Sequence, residues 1–293
     1  MENVKKILIT GASGLVGSHL LSSLENENVE VYVISKSEKQ YPASVKVIRL
    51  DLSSDWSQDL LPSKMDIIIH LAQSENFRLF PEKADDVFFV NTLSTLKLAD
   101  YARKAGVSQF IYASSAGIYG TTDEKAFTED EPIIYENKLG FYLGTKYCSE
   151  IILKNYEGFF NVIMLRFFFV YGEGQKRSML MPRLVDSISE GKEIVLNGYD
   201  GLTINPINVK DAVAAIKKTF ELKSSQIFNI GGDQILTLRK ICEIIGSVVQ
   251  RSPSFKVNET NEKNINIIGD ISRMKDTLYC PKISVEEGIK DLL

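Results

Sequence analysis

Tyr142 and Lys146 stand four residues apart in Tyr-Leu-Gly-Thr-Lys, inside a stretch from Lys138 to Lys154 whose spacing predicts a long helix. Residues four apart share one helical face, so phenol and ammonium project the same way. A neighbouring ammonium favours phenolate and lowers the tyrosine pKa. Tyr142 would then exchange a proton with a hydroxyl or carbonyl near neutral pH. Alone, such a pair is usually an exposed helix pair. Here Ser114 and Ser115 stand upstream, closing the apolar run Gln109–Ser114 that reads as a strand. Ligands of open α/β sheets bind at that carboxyl edge. A serine hydroxyl there can hydrogen-bond a reacting oxygen and orient it against Tyr142.

A second constellation is the glycine run Thr10-Gly-Ala-Ser-Gly-Leu-Val-Gly17. It lies between the apolar run Lys6–Thr10, a strand, and Leu15–Leu24, which has helical spacing. Glycines close the turn and let backbone amides approach a pyrophosphate, while the helix N-terminus offers its positive end. Gly11, Ser13, Gly14, Leu15 and Val16 are therefore candidate cofactor contacts. The spacing G-x-x-G-x-x-G is one residue wider than the simplest dinucleotide fingerprint. The second strand ends at Ser35-Lys36, where a site for NAD usually carries an acid for the ribose 2′-hydroxyl. A small residue followed by a cation suits a 2′-phosphate, which favours NADP over NAD. Read blandly, Lys36 is a solvated loop charge.

These groups need a scaffold, and the order of elements supplies one. Strands are expected at Lys6–Thr10, Glu30–Ser35, Val45–Leu50, Asp66–Leu71, Gln109–Ser114 and Val162–Phe168. Helices are expected at Leu15–Leu24, Asp86–Ala105 with Gly106 as its stop, and Lys138–Lys154. Alternation of this kind specifies an α/β fold, a Rossmann-type doubly wound parallel sheet with helices on both faces. Residues 1–171 would form the NAD(P)-binding domain, completed by about 207–230 with a helix at Lys210–Glu221 and a strand at Gln226–Ile230. Residues 172–206 and 231–293 would form a small C-terminal α/β lobe for substrate.

Composition narrows the functional classes. The chain has 293 residues and a net charge of −4, which gives no electrostatic reason to expect nucleic acid or an anionic membrane as partner. No apolar run approaches the roughly 20 residues of a membrane helix, and the N-terminus shows no secretory h-region. Three widely spaced cysteines suggest reduced thiols, hence a cytoplasmic setting, and two histidines leave no basis for a multi-histidine metal site.

Taken together the motifs resemble one family, the extended short-chain dehydrogenase/reductases, which include nucleotide-sugar epimerases, dehydratases and reductases. The resemblance rests on Thr10–Gly17, Asp51-Leu52, His70-Leu71-Ala72 and Asn91. It rests further on Ser114-Ser115-Ala-Gly-Ile-Tyr-Gly120, Tyr142-x-x-x-Lys146 and Arg166-x-x-x-Val170-Tyr-Gly172. It implies that Ser115 is the catalytic serine and that Lys146 also binds the nicotinamide ribose. It places Asp51 and Leu52 at the adenine, and Leu71, Ala72, Gln73, Asn91, Phe169 and Val170 along the cofactor. His70 has a bland structural reading at its strand end. A homodimer through the two long helices is also implied.

Three departures bear on the substrate. Ala116-Gly117 replaces the Asp-Glu pair of the 4,6-dehydratases, so water elimination lacks its acid and base. Phe169 stands where many nucleotide-sugar members have Asn. Ile204 stands where those members often carry an arginine for a substrate phosphate. Lys176, Arg177 or Arg183 could hold a nucleotide diphosphate instead, and Gln73, Asn76, Arg78, Ser115 and Phe169 could meet the sugar. The expected activity is hydride transfer at a sugar carbon of a nucleotide sugar, as 4-keto reductase or epimerase. The competing readings are a non-catalytic NAD(P)-binding sensor or scaffold and a reductase of a small non-sugar carbonyl.

Overall fold

The computed structural model describes residues 4–121, 125–134, 139–258 and 266–293. Seven strands form one sheet: β1 (Lys5–Thr10), β2 (Val29–Ser35), β3 (Val45–Arg49), β4 (Ile67–His70), β5 (Gln109–Ser115), β6 (Asn161–Phe167) and β7 (Gln226–Ile230). Their spatial order is β7-β6-β5-β4-β1-β2-β3, and the sheet is parallel. The central strands are apolar throughout because helices cover both faces: Ile7, Leu8, Ile9, Ile67, Ile68 and Ile69 are all buried. The order of connection reverses at β1 and β4, which pair in register from Ile7↔Ile67 to Thr10↔His70. That reversal is the topological switch point, where open α/β sheets bind ligands.

The chain clusters into two compact units. The first comprises residues 1–118, 135–166 and 217–228. Its helices are α1 (Leu15–Ser23), α2 (Ala84–Phe88), α3 (Ser94–Lys104) and α4 (Gly140–Lys154). Leu98, Ala99 and Ala102 of α3 and Leu153 of α4 share one core with Leu8, Ile68, Phe110 and Met164 of the sheet. Gly106, at φ +70°, takes the left-handed turn that ends α3. The start of the expected Lys138–Lys154 helix lies outside the described residues, and the helix is seen from Gly140.

The single helix expected over Asp86–Ala105 starts earlier, at Ala84, and is broken by one π turn at Phe89–Leu93. Neighbouring hydroxyls claim the carbonyls there. Ser94 Oγ donates to the Val90 carbonyl at 2.5 Å, and Thr95 Oγ1 donates to the Asn91 carbonyl at 2.6 Å. Ser149 Oγ of α4 donates to the same Asn91 carbonyl at 2.8 Å. Such competition widens the turn and presents the Asn91 side chain to its neighbours.

One ion pair fixes α4 to the sheet. The Arg166 guanidinium on β6 donates to both Glu150 oxygens, Nε at 3.1 Å and a terminal nitrogen at 2.7 Å. Both side chains are buried, so each needs the other to offset desolvation.

The second unit comprises residues 119–134, 167–216 and 229–293. Its core brings Leu184, Val185 and Ile188 of α5 (Leu180–Glu190) together with Ile241, Cys242 and Ile245 of a later helix, Leu238–Val249. Between them in sequence comes α6 (Val209–Thr219), so the Leu238–Val249 helix is α7. Asp211 on α6 accepts the Lys282 and Ile283 amides at 3.0 and 2.9 Å and so anchors the chain ahead of the last helix. Burial pushes the Cys242 thiol up to about 12, as befits a small core residue. No helix among the described residues is long and apolar enough to cross a membrane.

Candidate active site

The glycine loop is shaped by close backbone approach. A Cβ on Gly11, itself at φ +72°, would meet the Ala72 amide nitrogen at 2.7 Å. One on Gly17 would collide with the Gly11 carbonyl oxygen. The Gly14 amide donates to that carbonyl at 3.0 Å and closes the turn. Gly14 is then the N-cap of α1, with no side-chain cap and no acid in the first turn. Ser13 is exposed and Leu15 and Val16 are half-buried around it. This helix start has amides to offer an anion and nothing that repels one, so it fits a dinucleotide pyrophosphate.

Beyond the loop, the strand ends are cross-tied. The Ala72 amide donates to Thr10 Oγ1 at 3.2 Å, and Thr10 Oγ1 shares a 2.6 Å bond with His70 Nδ1. The other ring nitrogen of His70 bonds Thr95 Oγ1 at 3.0 Å. Full burial, helped by the Lys146 charge, drives the His70 imidazole down to about 3. It is a neutral tie, not a titrating group. Leu71 and Ala72 are half-buried at the switch point.

At the end of β2, Ser35 is buried and its hydroxyl is engaged, accepting from Tyr41 at 3.2 Å and pairing with Ser37 Oγ at 3.1 Å. Lys36 is exposed. Sequence reading missed a second cation: Arg49 is the register partner of Ser35 across the β2–β3 pair and donates to the Ser37 carbonyl. Its signal was its place at the end of a parallel neighbour, where strand ends align. Burial pushes the Asp51 carboxyl up, but the Ser53 amide and hydroxyl and the Lys36 charge outweigh it and leave it low. Leu52, next to it, is buried in the sheet core.

The candidate catalytic set lies wholly within the first unit. Ser115 ends β5 and accepts the Gly117 amide at 3.2 Å. Tyr142, in the first turn of α4, donates its hydroxyl to Gln73 Oε1 at 2.9 Å, and the Ser115 side chain acts on it to lower its pKa. Lys146, one turn on, is buried and donates to the Ala113 carbonyl at 2.8 Å. Gly117 packs against Leu143, where a Cβ would meet the leucine side chain at 2.8 Å. Ser114 is buried, and its hydroxyl has no hydrogen-bond partner among the described residues.

The expected electrostatics need correcting. Burial pushes the Tyr142 phenol up to about 12, with the Ser115 hydrogen bond only partly opposing it. Burial likewise pulls the Lys146 amine down to about 7, against the Glu150 carboxylate that favours its charge. In the chain without ligand, desolvation is the largest influence on both groups.

Three further candidates have side-chain partners within the fold. Asn91 is fully buried; its Oδ1 accepts the Ser74 amide at 2.9 Å and its Nδ2 donates to Thr145 Oγ1 at 3.0 Å. It ties the loop after β4 to α4. Asn76 donates to Asp86 at 3.1 Å, which occupies the amide expected at substrate. Arg177 pairs with Asp186 and donates to the Leu292 carbonyl at 2.7 Å, bonds that lie within the second unit. Phe169 holds φ +47°, a left-handed conformation that asparagine tolerates better than a bulky residue. Val170 follows it in a short strand paired with Ile207. Of the substrate candidates, Arg78 remains exposed, its guanidinium 5.0 Å over the Phe77 ring.

A parallel sheet with a glycine loop at its switch point and a Ser–Tyr–Lys set at the next strand end defines an extended short-chain dehydrogenase/reductase. The chain belongs to the NAD dependent epimerase/dehydratase family, whose model matches residues 7–231. It is 28% identical to an uncharacterized protein of Methanocaldococcus jannaschii, covering 98% of this chain and 94% of the relative. It is 24% identical to the dTDP-D-glucose 4,6-dehydratase of Homo sapiens, covering 98% and 88%. Among solved structures, MoeE5 in complex with UDP-glucuronic acid and NAD superposes with a TM-score of 0.83 at 25% identity, covering 98% of this chain and 97% of that one.

The Lys146 assignment has a consequence for stability. Its folded pKa of about 7 lies below the ordinary 10.5, so the unfolded chain binds more protons between those values and stability rises with pH across that window. Lys146→Met removes this dependence. Denaturant titration should find the substituted chain more stable than the native one near pH 6, by on the order of a few kcal/mol. The difference should shrink as pH rises towards 10. A pH-independent difference would refute the buried, neutral-leaning amine.

Proposed function

We propose that this enzyme moves hydride between nicotinamide C4 and a sugar carbon of a nucleotide sugar, acting as an NADPH-dependent keto-sugar reductase. The observation that carries the chemistry is the convergence of Ser115, Tyr142 and Lys146 beside the switch point. A bound nicotinamide would supply the hydride that the protein has no group to provide. Ser115 would hold the carbonyl oxygen, and Tyr142 would deliver the matching proton from its hydroxyl. Lys146 would hold the nicotinamide ribose and, once charged, draw the Tyr142 pKa down from its desolvated value. Hydride at carbon and proton at oxygen together convert ketone to alcohol.

The 2′-phosphate reading rests on Lys36 and Arg49, both at the carboxyl end of the β2–β3 pair, with Ser35 in place of the customary acid. A second reading, an epimerase that retains NAD, is favoured by the NAD held in the MoeE5 structure and by the family's name. The nucleotide-sugar class is supported by the UDP-glucuronic acid in that same structure. Water elimination is not part of the proposal, because Ala116 and Gly117 carry no acid or base. Ile204 is fully buried, so it offers a phosphate nothing; Arg183 is the exposed cation of α5 left for that task.

A homodimer is also proposed. Phe88, Phe89 and Leu96 on the α2–α3 rod and Ile151 on α4 are all exposed large apolar residues of the first unit. Two copies meeting helix to helix would cover them.

Three outcomes follow. Tyr142→Phe should lower kcat by about 10²–10⁴-fold while leaving nucleotide affinity intact in equilibrium titration; unchanged turnover would refute the acid–base role. Replacing Lys36 and Arg49 by Ala should raise the KM for NADPH at least about tenfold and leave that for NADH unmoved. An equal effect on both cofactors would point to the NAD reading. Leu96→Glu with Phe88→Asp should give a monomer in light scattering; a native chain that is already monomeric sinks the dimer.

A further inference from the structure

The loop after β4 reaches the hydroxyl of Tyr142 directly. Gln73 Oε1 accepts it at 2.9 Å. The Phe77 ring packs against the Tyr142 ring with centroids 5.0 Å apart, and Phe80 stacks on Phe141 at 4.8 Å. The residue after Gln73 is fastened twice: the Ser74 amide to Asn91 Oδ1, and its hydroxyl to Asp86. Asn91 in turn grips Thr145 on α4. The Gln73 backbone is thus held in place against α4, while its side chain is exposed. Its Nε2 has no hydrogen bond among the described residues.

A tyrosine that gives up and regains a proton needs two different partners. The phenol needs an acceptor and the phenolate needs a donor. A carboxamide is both, and a half-turn exchanges its oxygen and NH₂ at nearly the same volume. We propose that Gln73 is a positioning residue for Tyr142, accepting from the phenol through Oε1 and, after rotation about Cγ–Cδ, donating through Nε2 to the phenolate. The proton leaves the Tyr142 oxygen for the substrate oxygen and is replaced from solvent, so Gln73 neither gains nor loses one. The inference rests on the acid–base reading of Tyr142 given above.

The need for such a donor is visible in the surroundings. Burial disfavours the Tyr142 phenolate. Lys146 and Glu150 lie on its own helix, and buried Tyr112 interacts with it from β5. Arg78 stands over Phe77, and Asp86 holds Ser74 and Asn76 from α2. None of these other groups is altered by replacing Gln73.

Two full-length variants test the proposal. Gln73→Met keeps the side-chain length and removes both hydrogen-bonding groups. Gln73→Glu keeps the acceptor and removes the donor. Two readouts apply: the pH profile of kcat/KM, and the ultraviolet titration of Tyr142 at saturating NADP⁺ or NAD⁺, taken against Tyr142→Phe in each background. The Met variant should lose about tenfold in kcat near neutral pH, with KM changed less than about twofold, and its Tyr142 titration should move up by about one pH unit. The Glu variant should lose more and shift further, since a carboxylate repels the phenolate. An inactive Tyr142→Phe with unshifted titration and profile in both Gln73 variants would overturn the proposal and leave the catalytic tyrosine standing. So would a rise in KM alone, which would mark Gln73 as a substrate contact. Normal turnover by Tyr142→Phe would overturn the acid–base reading itself, and the role of Gln73 with it.

Discussion

Everything in the first unit is arranged around one near-contact, the approach of the Gly11 backbone to the Ala72 amide at the ends of β1 and β4. No side chain larger than hydrogen fits at Gly11, and the turn that follows can only close because Gly17 leaves room for the Gly11 carbonyl. The same approach lets Thr10 receive the Ala72 amide and lean on His70. From Ala72 the chain passes to Gln73 and Ser74, and the Asn91 side chain carries the constraint to Thr145 on α4. The helix start suited to a pyrophosphate and the tyrosine suited to proton transfer are therefore positioned by one continuous set of bonds. Precision of this kind is what hydride and proton transfer at adjacent atoms demands.

Desolvation is the second governing effect. Sequence spacing suggests that Tyr142 and Lys146 help each other ionise. Burial instead opposes charge on both, so the phenol sits near 12 and the amine near 7. The pair is poised: a negative group brought close would restore the lysine charge, and that charge would then lower the tyrosine.

Much of this was legible in the residues. Buried parallel strands announce themselves as continuous apolar runs, and β1 and β4 fall within a residue or two of their expected bounds. Glycines at 11, 14 and 17 were recognisable because each meets a local steric demand. What was illegible depends on register or on distant partners. The π turn at Phe89–Leu93 arises from hydroxyls on α3 and α4 competing for backbone carbonyls, which helical periodicity does not record. Arg49 becomes relevant only through its pairing with Ser35. The bonds that Asn91, Asn76 and Arg177 make within the fold were equally illegible, because their partners are distant in sequence or set by loop geometry. Gln73 was visible as a site residue, but its bond to Tyr142 was not.

The central claim is that this scaffold passes hydride between nicotinamide C4 and a sugar carbon. It is tested most directly by following the hydrogen itself, with NADPH deuterated at C4 on the transferred face and a nucleotide-linked 4-keto sugar as acceptor. The account predicts a product carrying one deuterium at the former carbonyl carbon, with none at neighbouring positions. A product whose hydrogen at that carbon comes only from solvent, or consumption of the keto sugar with the deuterium still on the nucleotide, would contradict it.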